Sequence, residues 1–363
     1  MNEMKTEKNN TRAPGIKDVA REANVSISTV SHVLNGTKAV SEPLRKRVME
    51  AVNELNYQVD PIGRSLKSGR SHSVAVLFPS ITSVFFPPLL KSLQKSADQA
   101  GYSLTVHSTS GKLEKEKAQV QALTAQRIDG IFVSSCANSH DKKAQDYIQT
   151  LKGLHNNGHR IPVICLESAL DSALDSVVVN DEQGSEQAVE HLIQLGRKNI
   201  AYIAAPQSYA MGRARTRGYV SALKKADIAF RKQYIAEGDY TPLSGYQCMQ
   251  ELLSRDISID AVAAGNDQMA IGAMRALQEA GRKIPEDVAI FGYNDNFPAS
   301  LVRPALSTIH VPKEEMGTFA FDLFLRRLRN TDATPSKIQL TGEMILRGST
   351  DPGIETDWIL ESW

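Results

Sequence analysis

Residues 16–35 read Ile-Lys-Asp-Val-Ala-Arg-Glu-Ala-Asn-Val-Ser-Ile-Ser-Thr-Val-Ser-His-Val-Leu-Asn. Ile16, Val19, Ala20 and Ala23 recur at i, i+3, i+4 and i+7, which is one face of a short helix. Asn24 follows where the chain needs a left-handed residue, a conformation that Asn tolerates better than most non-glycines. Val25 is placed to plug against that helix, and Ser26 to cap a second. In the second helix Val30, Val33 and Leu34 form the buried stripe, leaving Ile27, Ser28, Ser31 and His32 to point outward. Two short helices with a tight turn, the second starting on small and polar side chains, have the geometry that fits a DNA major groove. A third helix is expected from Ser41 to Leu55. Ser41 caps it, Pro43 sits in its first turn, and Leu44, Val48, Ala51, Val52 and Leu55 line its apolar face.

Tyr57 then leads into a polar run ending Arg64-Ser65-Leu66-Lys67-Ser68-Gly69-Arg70-Ser71. The helix pair, the following Val40-Ser41-Glu42 and this run at its distance resemble the DNA-binding head and hinge of the LacI/GalR family of bacterial repressors. The resemblance implies that Ile27, Ser28 and His32 face base edges. Ile27 offers apolar contact to a thymine methyl, and His32 can donate to guanine. Thr29, Ser31 and Asn35 would bind phosphates, which set register rather than sequence. Taken alone, His32 reads as a solvated surface histidine; the surrounding motif reverses that reading.

By composition residues 58–71 are a plain linker. The resemblance implies instead a hinge with a short helix from Pro61 to Lys67. This helix forms only on DNA, pairs with its copy in a homodimer and sits in the minor groove. Arg64 is a DNA contact there, and Leu66 is the wedge that unstacks the central step of a pseudo-palindromic operator. Gly63 stands where the family usually has Ala, at a cost of about 0.8–1 kcal/mol in helix propensity. The hinge is therefore expected to depend more than usual on DNA and on the dimer partner.

Charge divides the chain. Residues 1–71 carry 12 lysines and arginines against eight acids, while the remainder carries 30 against 33. A basic head on a mildly acidic body fits phosphate binding by the head alone, although surface charge fluctuates this much in many proteins. Three scattered cysteines, Cys136, Cys165 and Cys248, with no C-x-x-C pair, argue against a disulfide framework or zinc ribbon and for a reducing compartment. Residues 1–15 are polar, read as a disordered arm, and lack the apolar core of a signal peptide. No apolar run approaches the roughly 18 residues of a membrane span. A cytoplasmic protein without membrane contact is expected.

From Ser73 the texture becomes strand and helix in alternation, beginning Ser-Val-Ala-Val-Leu-Phe and continuing to Val288–Phe291. Such regularity predicts an α/β body of parallel sheets covered on both faces. Two such units in residues 72–363 predict two Rossmann-like lobes with a cleft between them. The resemblance continues here, through Arg215-Thr216-Arg217-Gly218-Tyr219, Gly265-Asn266-Asp267-Gln268-Met269, Phe291-Gly292-Tyr293-Asn294-Asp295 and Arg347-Gly348-Ser349-Thr350. It implies a periplasmic-binding-protein type of fold with three crossovers, expected near Ser168, Pro298 and Asp332. Residues 354–363 form an apolar tail too short for a coiled coil. It is a strand or turn on its own lobe or a contact with another chain.

The cleft residues implied are Phe85, Phe86, Ser134, Asn180, Asp181, Tyr209, Arg215, Asp267 and Asn294. Planar side chains stack on sugar or base faces, and Arg, Asn and Asp bond to hydroxyls. Phe85 and Phe86 are either site lining or ordinary core. Asp267 is first an N-cap and second a ligand contact, and Asn294 stands where Asp is common. Arg213, Arg215 and Arg217 crowd the first turn of a helix, where the macrodipole disfavours cations. Surface carboxylates can account for Arg213 and Arg217. Arg215 matches the family's ligand arginine, which raises the idea of an acidic sugar derivative.

Four function classes are weighed. The first is a repressor controlled by a small metabolite, most naturally a sugar or sugar derivative. The second is a regulator answering to a protein corepressor, and the third a free solute-binding protein, which would need an export signal and no head. The fourth is an enzyme; the sequence has no P-loop, no G-x-S-x-G, no H-E-x-x-H and no metal-spaced His/Cys cluster. The expectation is a non-enzymatic, cofactor-free regulator of the first class.

Overall fold

A computed structural model describes residues 14–35, 38–57, 70–138, 141–156 and 158–354. The chain divides into two compact units, residues 1–71 and 72–363.

In the first unit, helices α1 (Ile16–Glu22), α2 (Ile27–Asn35) and α3 (Glu42–Glu54) pack around Val19, Ala20, Ala23, Val30, Val48 and Ala51. Val25, Val33, Leu34, Val52 and Leu55 close over that core, as the helical spacing predicts. Asn24 adopts the left-handed conformation at φ 49°. Ser26 caps α2 by accepting the Thr29 amide at 3.1 Å. Ser41 holds the N-cap position of α3 without a side-chain cap bond. Leu44 is half-buried outside the core cluster.

The body holds two parallel sheets. The first contains β1 (Ser73–Phe78), β2 (Ser103–Ser108), β3 (Gly130–Val133), β6 (Val163–Glu167), β7 (Asp175–Val179) and β13 (Lys337–Leu340), in the order β13-β7-β6-β3-β1-β2. Between β3 and β6 lies a small hairpin, β4 (His155–Asn156) with β5 (His159–Arg160). The second sheet contains β8 (Ile200–Ala204), β9 (Ile235–Glu237), β10 (Ala261–Ala264) and β11 (Ala289–Phe291), in the order β11-β10-β8-β9. An antiparallel ribbon of β12 (Thr308–His310) and β14 (Glu343–Ile345) joins this second lobe. The strands are apolar in near-continuous runs because both faces are covered by helices. One continuous cluster runs from Phe132, Phe321 and Phe324 in the first lobe to Tyr202, Tyr219 and Phe291 in the second.

The crossovers differ from all three expected positions. Ser168 directly follows β6, but the chain returns as β7 to the same sheet, with Ile164 beside Asp175. The first crossover therefore falls at Asn180, ahead of helix α7 (Asp181–Gln194). Pro298 opens the short helix α11 (Pro298–Leu301) inside the second lobe. The second crossover falls at 311–312, between β12 and helix α12 (Lys313–Arg329), which packs on helix α4 (Phe86–Gln99) of the first lobe. Asp332 lies before β13, still in the first lobe, and the third crossover is 341–342. The Asn180 amide donates to the Leu340 carbonyl at 3.0 Å, tying the first crossover to the third.

Two further helices set the wall of the cleft: α7, and α8 (Ala210–Lys225), which lies against it. They approach closely at Gly218, where a Cβ would lie 2.2 Å from the Glu182 carbonyl oxygen and 2.8 Å from the Glu186 amide nitrogen. Backbone atoms of a packed helix cannot yield cheaply. Gly218→Ala is therefore expected to cost about 1–3 kcal/mol, read as a lower midpoint of urea denaturation. An unchanged midpoint contradicts this close approach.

Candidate functional site

In the head, the first residues of α2 are the accessible ones. Ile27 is 44% exposed, an unusual position for so large an apolar side chain in a small helical unit. Ser28 is exposed, whereas Thr29, Ser31 and His32 are half-buried. The Ser26 hydroxyl hydrogen-bonds to the Ser28 hydroxyl at 2.7 Å and to the Thr29 hydroxyl at 2.8 Å. Ser28 and Thr29 thus share one local hydroxyl network with Ser26. Asn35 ends α2, and its side chain lies outside the described residues, as do Arg64, Leu66, the hinge residues 58–69 and the tail residues 355–363.

In the body, the carboxyl ends of the strands supply the cleft, the usual ligand position in open α/β sheets. On the second-lobe wall, Arg215 is 4% exposed and hydrogen-bonded through all three of its nitrogens. Its Nε donates to Asp181 Oδ1 at 2.8 Å, Nη1 to the Gly265 carbonyl at 2.6 Å, and Nη2 to Asn294 Oδ1 at 3.3 Å. The guanidinium also lies over the Tyr293 ring, 3.8 Å from its centroid. Burial pushes the Asp181 carboxyl up, against the pull of Arg215. Asp181, Arg215 and Asn294 are therefore one hydrogen-bonded group.

The other second-lobe candidates have different roles. Asn180 caps α7, its Oδ1 accepting the Gln183 amide at 3.3 Å. Asp267 is not the N-cap of helix α10 (Asp267–Glu279). Asn266 is, accepting the Met269 amide at 2.9 Å. Asp267, wholly buried, accepts from the Asn296 amide at 2.6 Å and the Thr308 hydroxyl at 2.5 Å. Burial pushes it up to about 7. Arg217 pairs with Glu182 at 2.7 Å, as a surface arginine should. Among the described residues Arg213 has no carboxylate partner. It folds back on the carbonyls of Gln207 and Ser208 at 2.8 and 2.9 Å and reaches Asn138 of the first lobe at 3.3 Å. Beside it Tyr209 comes close to the first lobe, its hydroxyl 3.1 Å from where a Cβ on Gly111 would sit.

On the first-lobe wall, Phe86 stacks on Phe78 with centroids 4.0 Å apart, and Phe85 meets Phe86 edge-on at 5.2 Å. Both belong to the main apolar cluster, so core is their structural role. Ser134 donates to Glu167 Oε2. Glu167 ends β6 at φ 64°. Burial pushes its carboxyl up to about 7, partly offset by Ser134 and by nearby Arg215. Sequence reasoning missed Glu167 and also Tyr240, whose hydroxyl is shut from solvent with no hydrogen-bond partner among the described residues. The signal available for Glu167 was its place directly after the apolar strand Val-Ile-Cys-Leu. Nothing in the sequence marks Tyr240.

Comparison with known proteins decides the family. The model for bacterial regulatory proteins of the lacI family matches residues 15–60, and that for a periplasmic binding protein-like domain matches residues 189–350. The HTH-type transcriptional repressor PurR of Shigella dysenteriae serotype 1 (strain Sd197) is 34% identical over 345 residues, which span 94% of this chain and 98% of that one.

The chain belongs to the lacI family of bacterial regulatory proteins.

The Lac repressor dimer bound to operator and the anti-inducer ONPF is similar at 28% identity and a TM-score of 0.82, over 93% of this chain and 99% of that one. The regulator CelR in complex with cellobiose is similar at 27% identity and a TM-score of 0.68, over the same shares. The family's fold, a helix-turn-helix unit followed by a periplasmic-binding-protein-like body, is the fold described above, and its members are DNA-binding transcriptional regulators.

The raised carboxyl of Glu167 makes stability depend on pH. Its folded value of about 7 lies above the unfolded 4.5, so between these values the folded chain holds a proton that the unfolded chain has lost. This contribution is present below about pH 4.5 and is lost as pH rises through 7. Urea denaturation of Glu167→Gln is expected to show a smaller loss of stability from pH 5 to 8 than the parent. Identical slopes contradict the assignment.

Proposed function

We propose that this family member is a cytoplasmic, non-enzymatic repressor that binds a pseudo-palindromic operator as a homodimer and answers to a small metabolite in the cleft. The observation that carries the reading is the exposed start of α2, with Ile27 and Ser28 presented from a helix whose other face is locked by Val30 against Val19 and Val48. Side chains on so rigid a unit read bases reproducibly, and backbone amides and hydroxyls nearby hold phosphates. Ile27, Ser28 and His32 are assigned to base edges, and Thr29, Ser31 and Asn35 to phosphates. Arg64 and Leu66 are assigned to the minor groove.

Cytoplasmic residence fits three free cysteines, of which Cys165 and Cys248 are buried. Among the described residues no helix is long and apolar enough to cross a membrane. Regulation by a metabolite fits the polar wall of Asp181, Arg215 and Asn294 at the strand ends, and the contacts of Tyr209 and Arg213 across the cleft. A ligand seated between the lobes shifts whichever lobe arrangement it binds better.

The test is selection of bound duplexes from a random pool by the full chain near physiological salt. Recovered sites are expected to be symmetric. His32→Ala is expected to weaken binding to them about 5- to 150-fold, corresponding to the 1–3 kcal/mol typical of a base contact, with little change for random competitor DNA. A pool without enrichment, or a variant that discriminates as well as the parent, overturns the reading.

A further inference from the structure

Every strand of the first sheet runs parallel to its neighbours, so all six start at one end of the lobe. The chain coming from the head enters at that end, where Ser73 opens β1. The connections that lead into the other strands gather there too, with the last helix turns before them. They carry Arg127 ahead of β3, Lys152 and Arg160 ahead of β6, and Arg326, Arg327, Arg329 and Lys337 at the approach to β13. Asp98, Asp129, Asp171, Asp175 and Asp332 oppose them. Seven cations against five acids reverse the sign of the body, which holds 30 against 33.

Part of this charge has an ordinary explanation. Helix C-termini favour cations, and Lys152 ends α6 (Lys142–Lys152) while three arginines end α12. Neighbours hold some of them. Lys152 meets Asp171 at 3.3 Å, and Arg327 meets Asp175 at 2.6 Å. Arg326 donates to the Thr334 carbonyl at 2.6 Å and stands 3.9 Å from Asp175. The side chains of Arg127, Arg160, Arg329 and Lys337 have no hydrogen bond or ion pair among the described residues. Arg127, Arg160 and Lys337 also lie outside helices, so the dipole does not account for them.

Arg160 belongs to a shaped hollow. The hairpin of β4 and β5 sets His155 beside Arg160 and Asn156 beside His159. Lys152, His155, His159, Arg160 and, from the loop after α12, Thr331 and Asp332 line about 520 Å³ of space. The lining offers an ammonium, a guanidinium, two imidazoles and a hydroxyl, with Asp332 as the carboxylate among them. Arg160 is half-buried there, its charge partly withdrawn from water and without a counter-ion among the described residues. A phosphate diester, anionic and rich in acceptors, suits such a set of donors.

We propose that this end of the first lobe is a second nucleic-acid contact, which binds the phosphate backbone of the duplex that the head reads. This rests on the DNA-binding reading of the head. Connectivity and charge identify the partner. The fourteen residues 58–71 cannot span more than about 50 Å, the length of about 15 base pairs. A head on its operator therefore keeps this end within reach of a polyanion. The mildly acidic remainder of the body is repelled by that polyanion, whereas this end is drawn to it. Such contacts carry no sequence information. They add affinity and salt dependence.

The test measures binding of the full chain, without effector, to its selected operator extended by flanking sequence, from 50 to 200 mM salt. Arg160→Gln, Arg329→Gln and Lys337→Gln are combined in one variant. Each lost phosphate contact lowers the slope of log affinity against log salt by about 0.9, so the triple variant is expected to lose about 2.7 from that slope. Over this range the parent then loses about 40-fold more affinity than the variant. The ratio of operator to random duplex should stay the same, because phosphates are alike in both. The urea midpoint checks folding. Should Arg160→Gln unfold the lobe, Arg329→Gln with Lys337→Gln, both at exposed positions, is expected to lose about 1.8 from the slope. Lys112→Gln, Lys142→Gln and Lys143→Gln remove the same charge from the opposite end of the sheet and should leave the slope as it is. Equal slopes for parent and triple variant overturn the proposal. An equal fall in both triple variants also overturns it, since net charge alone would then be at work. Inorganic phosphate that raises the thermal midpoint of the parent but not of the Arg160 variant, with equal DNA slopes, makes the hollow a site for a free anion and overturns the DNA contact. A parent that binds no duplex overturns the reading of the head, and this inference with it.

Discussion

The buried ion pair of Arg215 and Asp181 organises the body around it. The two side chains are 5% and 7% exposed, so neither charge has much water. A pair taken this far from solvent survives only if its remaining donors are also met. Here the Gly265 carbonyl and Asn294 take one bond from each terminal nitrogen. The pair thereby joins four places: the first turn of α7, the middle of α8, and the chain just beyond β10 and β11. From Asn294 the connection continues. Its carbonyl accepts Lys313, the first residue after the second crossover. Asn180, beside Asp181, is bonded to Leu340 next to the third. The wall of the cleft and all three crossovers are thus separated by one or two hydrogen bonds. That proximity gives a ligand on this wall a short physical route to the relative placement of the lobes.

The second-lobe ribbon is fastened in the same manner. Asp295 accepts from Arg347 at 2.8 Å, and His310 Nδ1 lies 3.0 Å from its other oxygen. Arg347 also donates to the Leu306 carbonyl at 2.9 Å. Asn294 and Asp295 both have positive φ, 107° and 53°. The turn that presents Asn294 to Arg215 is therefore held from both sides, by Lys313 through its carbonyls and by Arg347 through the Asp295 carboxylate.

The head was legible because its signals are local. A 3.6-residue stripe, one left-handed Asn and one Ser cap were enough for three helices and their core. The alternation in the body was equally plain, and the strands at Gly130 and Ala261 begin and end as their apolar runs do. The crossovers were not legible. Ser-Val-Val-Val looks the same whether β7 extends the first sheet or opens the second, and pairing with β6 is a long-range fact. Helix α12 was missed altogether, although Met316, Ala320, Phe321, Phe324 and Arg327 recur at helical spacing on its buried face; Lys313, Gly317 and Arg327 on that same face break the apolar pattern. In the cleft, the role of Arg215 was half visible. Its type and place were right, but no local pattern says that Asp181, 34 residues earlier, consumes its charge. Asn266 and Asp267 are both good caps, and the one-residue choice between them was made by where β10 ends. Glu167 and Tyr240 depend on backbone conformations that non-glycine residues rarely advertise.

The most direct measurement is a double-mutant cycle of Arg215→Met and Asp181→Leu, read by urea denaturation of the full chain. If the pair is the joint described, each single change leaves a buried charge unpaired and costs about 3–5 kcal/mol, while the double change costs clearly less than the sum of the two. Two single losses that simply add, or a Asp181→Leu variant as stable as the parent, would contradict the account.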